Sequence, residues 1–259
     1  MYVRGVQSEF THTIGRGSNA EVYYGTFEGV GVVIKYLHHG NIIKFRGVWD
    51  SFASGNPKMG PCIILEWAEN SDMIQHLDAL ICSGLAGDTY LRTVNKWVRI
   101  SISTACSLGI AHGDLRGANV LINAKGKALL ADFGDSVIAD VGGSSTEQQG
   151  LGRIPWKAPE LLRSRQGFRP TCESDIYAFG CTCVEVYSDG LPWEHQAPAK
   201  IMSLVLKGDR PLRPSPRDHG IHDELWALVE KCWNQQPSKR PDADEIIKKL
   251  PEIFPYLAP

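Results

Sequence analysis

Residues 110–122 read IAHGDLRGANVLI, and residues 129–135, a few positions further on, read LLADFGD. The first stretch carries Asp114 and Asn119 five positions apart, and the second carries Asp132 ahead of a Phe-Gly pair. Taken singly, Asp and Asn are ordinary turn residues. Their meaning depends on their order along the chain, so the flanking sequence has to be considered with them.

Toward the N-terminus, the sequence from about Thr11 to Leu65 is typical of an antiparallel sheet. Short β-branched and aromatic runs such as EVYYGTF, VVIKYL and CIILEW alternate with glycine-bearing turns. One of these runs carries Lys35, and no Asp or Glu lies between Glu28 and Asp50 to pair with it. Because a buried ammonium needs an anion beside it, a phosphate group is one candidate partner for Lys35.

The stretch IGRGSNAEVYYG, residues 14–25, fits the loose pattern G-x-G-x-x-G/A through Gly15, Gly17 and Ala20. A dinucleotide-binding fold needs a helix directly after such glycines. Here a β-branched and aromatic run begins at Val22, so we expect the glycines at the tip of a hairpin. Backbone N–H groups in such a tip can approach phosphates closely, but an ordinary tight hairpin fits this segment equally well.

Toward the C-terminus, the apolar period changes after Glu66 to three and four residues, which indicates helices. Apolar positions from Val94 to Leu108 follow one helical face, and HDELWALVEKCW carries a second stripe, which we assign to core packing. The spacing of Asp242 and Glu245 predicts a capped helix start. The expected architecture is a small β-rich lobe and a larger helical lobe, joined near EWAEN, with a cleft between them.

Composition excludes several classes of protein. The 259 residues carry a formal net charge of −2 and a pI near 6.4, which gives no global attraction to nucleic acid or to an anionic membrane. The first residues, MYVRGVQSEF, lack the apolar core typical of a signal peptide, and no apolar run approaches the ~18 residues that span a bilayer, so we expect neither a leader nor a membrane span. Its seven cysteines lack C-x-x-C spacing, which favours reduced, mostly buried thiols. We expect a cytoplasmic protein that binds neither nucleic acid nor membrane.

The glycine loop, the strand lysine, HGDLRGAN and DFG, in this order, resemble a protein kinase. The resemblance continues with KAPE at 157–160, SDIYAFG at 174–180 and KRP at 239–241, and it covers about residues 11–250. Segments such as NIIKFRG and ELWALVEKCW look most like the tyrosine-kinase-like group, many members of which phosphorylate Ser and Thr. The resemblance implies an α+β, protein-kinase-like two-lobe fold in a single domain over residues 1–259.

The resemblance also implies the division of this domain. The expected parts are a small β-rich N-lobe over about 11–65, a hinge over 66–69 and a larger, mainly helical C-lobe over 70–257.

The activity implied by the resemblance is transfer of the γ-phosphate of ATP to Ser or Thr hydroxyls of protein substrates, with Tyr left open. In this scheme Asp114 takes the proton of the acceptor hydroxyl, and Arg116 lies close to the γ-phosphate. Asn119 and Asp132 bind Mg²⁺, while Lys35 holds the α- and β-phosphates. ATP and Mg²⁺ are therefore the implied cofactors.

Further residues are assigned by the same resemblance. It implies that Glu160 pairs with Arg240, and that Asp175 accepts hydrogen bonds from the backbone around Asp114. The implied cofactor-binding residues are Ile14, Gly15, Gly17, Ser18, Val22, Val33, Lys35, Glu66, Ala68 and Leu121.

Two contractions depart from the kinase pattern. In kinases a helix called αC follows the strand lysine and supplies a glutamate that pairs with it. Here Asn41, which normally lies beyond that helix, follows Lys35 by only six positions, or fewer than two helical turns at ~1.5 Å per residue. We therefore expect αC to be missing. The second contraction, between Leu108 and His112, leaves too few residues for the usual helix end and strand and puts the seating of Asp114 in question.

Single positions depart as well. Gly113 stands where an arginine usually precedes the catalytic Asp, and Arg153 stands where Ser/Thr kinases usually carry a threonine near the acceptor site. Because Lys35 lacks its usual partner, the alternative to an active kinase is a pseudokinase that acts as a nucleotide-binding scaffold. The replacement acid would be Asp132 or an acid supplied by a regulatory protein partner.

Overall fold

The structure is a computed structural model of the chain. It describes residues 12–16, 20–27, 30–37, 39–49, 62–84, 93, 97, 99, 110–138, 151–163, 169–188, 190–214 and 220–255. Residues 12–16, 20–27, 30–37, 47–49, 62, 138 and 151 are described for the backbone alone. Within these stretches no helix combines the length and the apolar character needed to cross a lipid bilayer.

Five strands occupy the N-terminal part of the described chain. They are β1 His12–Arg16, β2 Ala20–Phe27, β3 Val30–Leu37, β4 Phe45–Trp49 and β5 Cys62–Leu65. The first three form one antiparallel sheet in chain order, and β4 pairs antiparallel with β5. Their β-branched and aromatic residues suit the pleated surface of a sheet. Since a strand follows the glycine loop, the predicted hairpin is confirmed, and residues 20–27 do not form the helix that a dinucleotide-binding fold needs.

Four short strands flank the HGDLRGAN and DFG segments. They are β6 Ile110–Ala111, β7 Val120–Ile122, β8 Ala128–Leu130 and β9 Val137–Ile138. β6 pairs with β9, and β7 pairs with β8, both antiparallel. The expectation that the contraction after Leu108 leaves no room for a strand is wrong, because two residues suffice to pair with Val137 and Ile138.

The connection from β3 to β4 contains no helical residue over its described part, residues 39–44. It runs against β8 instead: the Ile43 N–H donates to the Leu130 carbonyl at 3.0 Å, and the Leu130 N–H donates to the Asn41 carbonyl at 2.7 Å. The Asn41 side chain donates to the Ala128 carbonyl at 3.2 Å. These bonds tie the shortened connection to the strand that leads into DFG, and αC is missing from residues 39–44 as predicted.

Six α-helices follow β5 in the described chain. They are α1 Met73–Cys82, α2 Pro159–Arg163, α3 Cys172–Tyr187, α4 Pro198–Lys207, α5 Asp223–Cys232 and α6 Ala243–Ile253. Two of them begin with reciprocal capping boxes, Thr171 with Ser174 and Asp242 with Glu245. Such boxes satisfy N–H groups that the first helical turn leaves without partners. The capped start predicted at Asp242 is confirmed.

The core lies around α3, which is buried along nearly its whole length, as expected for a helix without a polar face. The apolar stripe of α5 packs in the same core, as predicted. The helix predicted between Val94 and Leu108 lies largely outside the described residues. Its position Trp97 is helical and buried, and its indole N–H donates to the Gly126 carbonyl at 3.0 Å. Of the five cysteines whose side chains are described, Cys181, Cys183 and Cys232 are buried free thiols, which fits the prediction.

A partly buried ion pair, between Glu160 of α2 and Arg240, helps to fasten α2 to α3. The Arg240 guanidinium donates to both carboxylate oxygens of Glu160, at 2.7 and 2.8 Å, and to the Glu173 carbonyl at 2.7 Å. The fork of the guanidinium matches a carboxylate in this bidentate geometry. The predicted pair of Glu160 and Arg240 is confirmed, and it fixes the chain immediately after the KAPE motif.

Candidate active site

The catalytic loop, residues 112–119, rests on a buried carboxylate of α3. Asp175 accepts the N–H of His112 at 2.5 Å and the N–H of Gly113 at 2.9 Å. Burial raises the pKa of Asp175 to about 7, although these two hydrogen bonds act in the opposite direction. The hydrogen bonds predicted for Asp175 are confirmed, and they hold the backbone that leads directly into Asp114.

Gly113 takes a backbone conformation that other residues avoid, with φ +80°. A Cβ at this position would lie 2.8 Å from the Asp135 carbonyl oxygen and 2.8 Å from Cγ of Pro170. Lys157, the first residue of the KAPE motif, is buried, and its ammonium donates to the Gly113 carbonyl at 2.9 Å. The loop is therefore built around a glycine, and the arginine usual in kinases could not occupy its place without a rearrangement.

Asp114 is held in one orientation by Asn119. The amide nitrogen of Asn119 donates to Oδ2 of Asp114 at 2.8 Å and to the Asp114 carbonyl at 2.7 Å. Only 2% of the Asp114 side chain is exposed. The contraction before His112 puts the seating of Asp114 in question, but in the structure Asp175 holds the two residues before Asp114, and Asn119 holds its side chain.

Asn119 and Asp132 lie at the same end of a hairpin. β7 begins directly after Asn119, β8 ends two residues before Asp132, and the Ala131 N–H donates to the Asn119 carbonyl at 2.9 Å. Asp132 has φ 58° and ψ 64°, an uncommon left-handed conformation for a residue other than glycine. The two hydrogen bonds from Asn119 to Asp114 use its amide nitrogen, so its carboxamide oxygen can serve as a ligand. Carboxamide and carboxylate oxygens are donors that Mg²⁺ prefers, and this pair fits that ion.

His112 links the catalytic loop to the DFG turn. Its ring is fully buried, with Nε2 2.8 Å from the Ala131 carbonyl, and its Nδ1 accepts the Asp114 N–H at 3.2 Å. Burial lowers the pKa of His112. A neutral imidazole that donates from Nε2 and accepts at Nδ1 satisfies both contacts. The Phe133 ring stands edge-on to it, with ring centroids 4.7 Å apart.

Two arginines reach into this cluster of carboxylates. Nε of Arg116 lies 3.4 Å from Oδ2 of Asp114. Nε of Arg153 lies 3.3 Å from the same oxygen, its Nη2 lies 3.7 Å from Asp132, and its Nη1 donates to Asp135. Burial by itself would lower the pKa of Arg153, but the charges of these three carboxylates raise it. Sequence reasoning associated Arg153 with the acceptor site and missed these contacts.

A second carboxylate of α3 supports the loop from behind. Oε2 of Glu185 accepts the Gly117 N–H at 2.9 Å and the indole N–H of Trp156 at 3.1 Å. Burial raises the pKa of Glu185 to about 7. Glu185 thus joins the catalytic loop to the end of the activation segment, residues 132–160. Sequence reasoning missed Glu185 as well, since an acid within a helix carries no local signal of such a contact.

The N-terminal sheet carries half of the ten implied nucleotide-binding residues. The strand registers place Gly15 opposite Val22, and Val22 opposite Lys35 on its other side, so these backbones are neighbours. Ile14 lies in β1 and Val33 in β3. Side-chain contacts of these residues, and the implied residues Gly17 and Ser18 as a whole, lie outside the described part.

The implied hinge and the floor of the pocket are better described. The Glu66 N–H donates to the Lys44 carbonyl at 2.8 Å, and its carboxylate pairs with Arg46 at 3.3 Å. Ala68 is buried. Leu121 lies in β7 and packs against a small apolar cluster of Ile43, Leu129 and Ala131.

The chain is similar in sequence to several protein kinases. The chain is 29% identical over 262 residues to a probable LIM domain-containing serine/threonine-protein kinase of Dictyostelium discoideum, covering 94% of this chain and 26% of that protein. It is 28% identical over 226 residues to the serine/threonine/tyrosine-protein kinase HT1 of Arabidopsis thaliana, covering 86% of this chain and 54% of that protein.

A third relative, mitogen-activated protein kinase kinase kinase 2 of Arabidopsis thaliana, is 28% identical over 218 residues, which cover 83% of this chain and 31% of that protein. The chain thus spans between about a quarter and about half of the length of these relatives. The sequence model of the family described as "Protein tyrosine and serine/threonine kinase" matches residues 30–250. The chain therefore belongs to the protein tyrosine and serine/threonine kinase family and has its mixed α and β fold.

Proposed function

We propose that the chain is an ATP-dependent protein kinase domain that transfers the γ-phosphate of ATP to Ser or Thr hydroxyls of protein substrates, with Tyr left open as an acceptor. The observation that carries the proposal is the buried carboxylate of Asp114, oriented by Asn119 in a loop that rests on Asp175. Phosphoryl transfer depends on position and charge rather than on covalent chemistry, so an acid fixed in this way suits the reaction.

In the proposed reaction, Asp114 accepts the proton of the acceptor hydroxyl. Within the described residues, the side-chain contacts of Asp114 all use Oδ2, which leaves Oδ1 for the hydroxyl. A base must come within hydrogen-bond distance of the proton that it takes, and this oxygen is oriented for that contact. Arg116, next to Asp114, would add positive charge near the transferred phosphate.

The remaining roles concern the nucleotide. Asn119 and Asp132 would bind Mg²⁺, which neutralises negative charge on the phosphates when it is bound. Lys35 would hold the α- and β-phosphates beneath the glycine loop. The proposed nucleotide pocket comprises Ile14, Gly15, Gly17, Ser18, Val22, Val33, Glu66, Ala68 and Leu121. We also propose the division into an N-lobe over about 11–65, a hinge over 66–69 and a C-lobe over 70–257.

A pseudokinase is the second candidate function, and one observation favours it. Residues 39–44 form no helix, and the sequence from Tyr36 to Gly40 contains no acid to pair with Lys35. A misplaced phosphate-binding lysine can cost orders of magnitude in rate. In that case the chain would bind nucleotide and act as a scaffold without useful turnover.

The variant Asp114→Asn tests the proposal. It removes the base and keeps the size of the side chain, so nucleotide affinity should remain within about twofold while phosphate transfer falls by at least ~100-fold. Affinity is measured by equilibrium titration with ATP, and transfer by incorporation of labelled phosphate into a mixed protein substrate. Asp78→Asn, an exposed position on α1, is the matched control and should transfer at the rate of the unmodified protein. Unchanged transfer by Asp114→Asn would remove Asp114 from its proposed role.

A further inference from the structure

Arg153 makes three contacts with three different carboxylates. Its Nε lies 3.3 Å from Asp114, its Nη2 lies 3.7 Å from Asp132, and its Nη1 donates to Asp135. A guanidinium presents its N–H groups in a planar fork, so each of its three nitrogens here faces a separate negative group. The side chain thus bridges the activation segment, the catalytic loop and the DFG turn.

The contact with Asp135 is the firm end of this bridge. It is a direct hydrogen bond from Nη1 to a carboxylate that is only 20% exposed. The other two contacts are longer and extend into the proposed active site. The Asp132 side chain is 47% exposed, so its ion pair with Arg153 at 3.7 Å is weak and can be exchanged for another cation.

The position of the guanidinium makes it a rival of a metal ion. It lies against the proposed base, Asp114, and the proposed metal ligand, Asp132, and it gives Asp132 positive charge that this carboxylate would otherwise take from a divalent cation. A fixed positive charge a few ångströms from a cation site also repels the incoming ion. Both effects weaken metal binding at Asp132.

We propose that Arg153 is a built-in competitor of the metal ion that determines how much Mg²⁺ the nucleotide site requires. Without the ion, the guanidinium neutralises Asp114 and Asp132. When Mg²⁺ binds with the nucleotide, the guanidinium withdraws from Asp132 and keeps its anchor on Asp135. This inference rests on the proposed function, since it assumes that Asp132 binds the metal that accompanies ATP.

The test measures the Mg²⁺ requirement for nucleotide binding, without any turnover. Binding of a fluorescent N-methylanthraniloyl derivative of ATP is followed while Mg²⁺ is raised, and the Mg²⁺ concentration at half-maximal binding is determined. Arg153→Thr should lower this midpoint about fivefold, the effect of one partly exposed ion pair. Arg163→Thr removes the same charge from an exposed position at the end of α2, and it should leave the midpoint unchanged.

The variant Arg153→Lys distinguishes the effect of bridging three carboxylates from the effect of the positive charge alone. A lysine keeps the positive charge, but its ammonium cannot face three carboxylates at once, so its midpoint should lie between those of the unmodified protein and Arg153→Thr. If circular dichroism shows that Arg153→Thr does not fold, Arg153→Lys decides: a lowered midpoint supports the inference, and an unchanged one overturns it.

The outcomes also distinguish this inference from the proposed function. Equal midpoints in the unmodified protein and in Arg153→Thr, with Mg²⁺ dependence lost in Asp132→Asn, would overturn the competition and leave the kinase proposal intact. Nucleotide binding that is absent or independent of Mg²⁺ in both the unmodified protein and Arg153→Thr would overturn both.

Discussion

Gly113 illustrates how one residue sets the geometry of the site. The sequence alone reveals it only as the loss of an arginine. The structure shows φ +80° at this position and two atoms at 2.8 Å from the place where a Cβ would stand. The lost cation is partly replaced from elsewhere, because the Lys157 ammonium reaches the Gly113 carbonyl at 2.9 Å. The glycine that replaces the usual arginine is therefore the residue that fits the space and the backbone conformation at this position.

Gly113→Ala should be far more costly than an alanine at a comparable open glycine. Gly84 has φ +83°, and no atom lies within 4 Å of the place that its Cβ would take, so Gly84→Ala should cost only the backbone strain of about 1 kcal/mol. Gly113→Ala adds the collisions with Asp135 and Pro170, and we expect a loss of about 3 kcal/mol. The free energy of unfolding of both variants is measured by urea titration. Equal losses would show that Gly113 is not confined by its neighbours.

At the scale of the element, α3 is the part of the chain that assembles the site. It places Asp175 under the N–H groups of His112 and Gly113, and it places Glu185 under Gly117 and Trp156. Both carboxylates are buried, and burial raises the pKa of each to about 7. One helix thus supports the catalytic loop through two buried carboxyl groups that lie ten positions apart in the sequence.

Glu185 should make stability depend on pH. In the folded protein the Glu185 carboxyl keeps its proton up to about pH 7, because burial raises its pKa. In the unfolded chain the pKa of this carboxyl has its ordinary value of 4.5. Between these values the folded state binds more protons, so this group makes the free energy of unfolding fall as the pH rises. The glutamine of Glu185→Gln cannot ionise. Between pH 4.5 and pH 7 the free energy of unfolding of this variant should therefore fall by about 3 kcal/mol less than that of the unmodified protein.

The measurement is urea unfolding at several pH values from 4.5 to 8. Glu252→Gln, on an exposed position of α6, is the control and should follow the curve of the unmodified protein. Parallel curves for the unmodified protein and Glu185→Gln would mean that Glu185 is ionised in the fold well below pH 7.

At the scale of the whole molecule, the sequence was enough to predict a β-rich N-terminal part followed by a mainly helical part, and to locate the motifs. The hairpin at the glycine loop, the capping box at Asp242 and the pair of Glu160 with Arg240 carry local or family signals, and all three are present. The contacts of Arg153 and Glu185 were beyond sequence reasoning, because they join segments far apart in the chain and depend on packing.

The shortened connection after β3 belongs to the same scale. The sequence predicted that no helix fits there, and residues 39–44 contain none. It did not predict that Asn41 and Ile43 would pair with Leu130, which ties the N-terminal sheet to the strand before DFG. The loop around Asp114 is held by Asp175 and Asn119, so under the proposed function activity would depend on whether Lys35 can hold the nucleotide without a glutamate from αC.

The most direct test of the central claim is single-turnover transfer of labelled γ-phosphate from Mg–ATP to a generic protein substrate, with Asp132→Asn as the metal-site control. An active kinase domain predicts transfer by the unmodified protein that clearly exceeds transfer by Asp132→Asn. Nucleotide binding with no transfer above that control would contradict the claim and identify the chain as a pseudokinase.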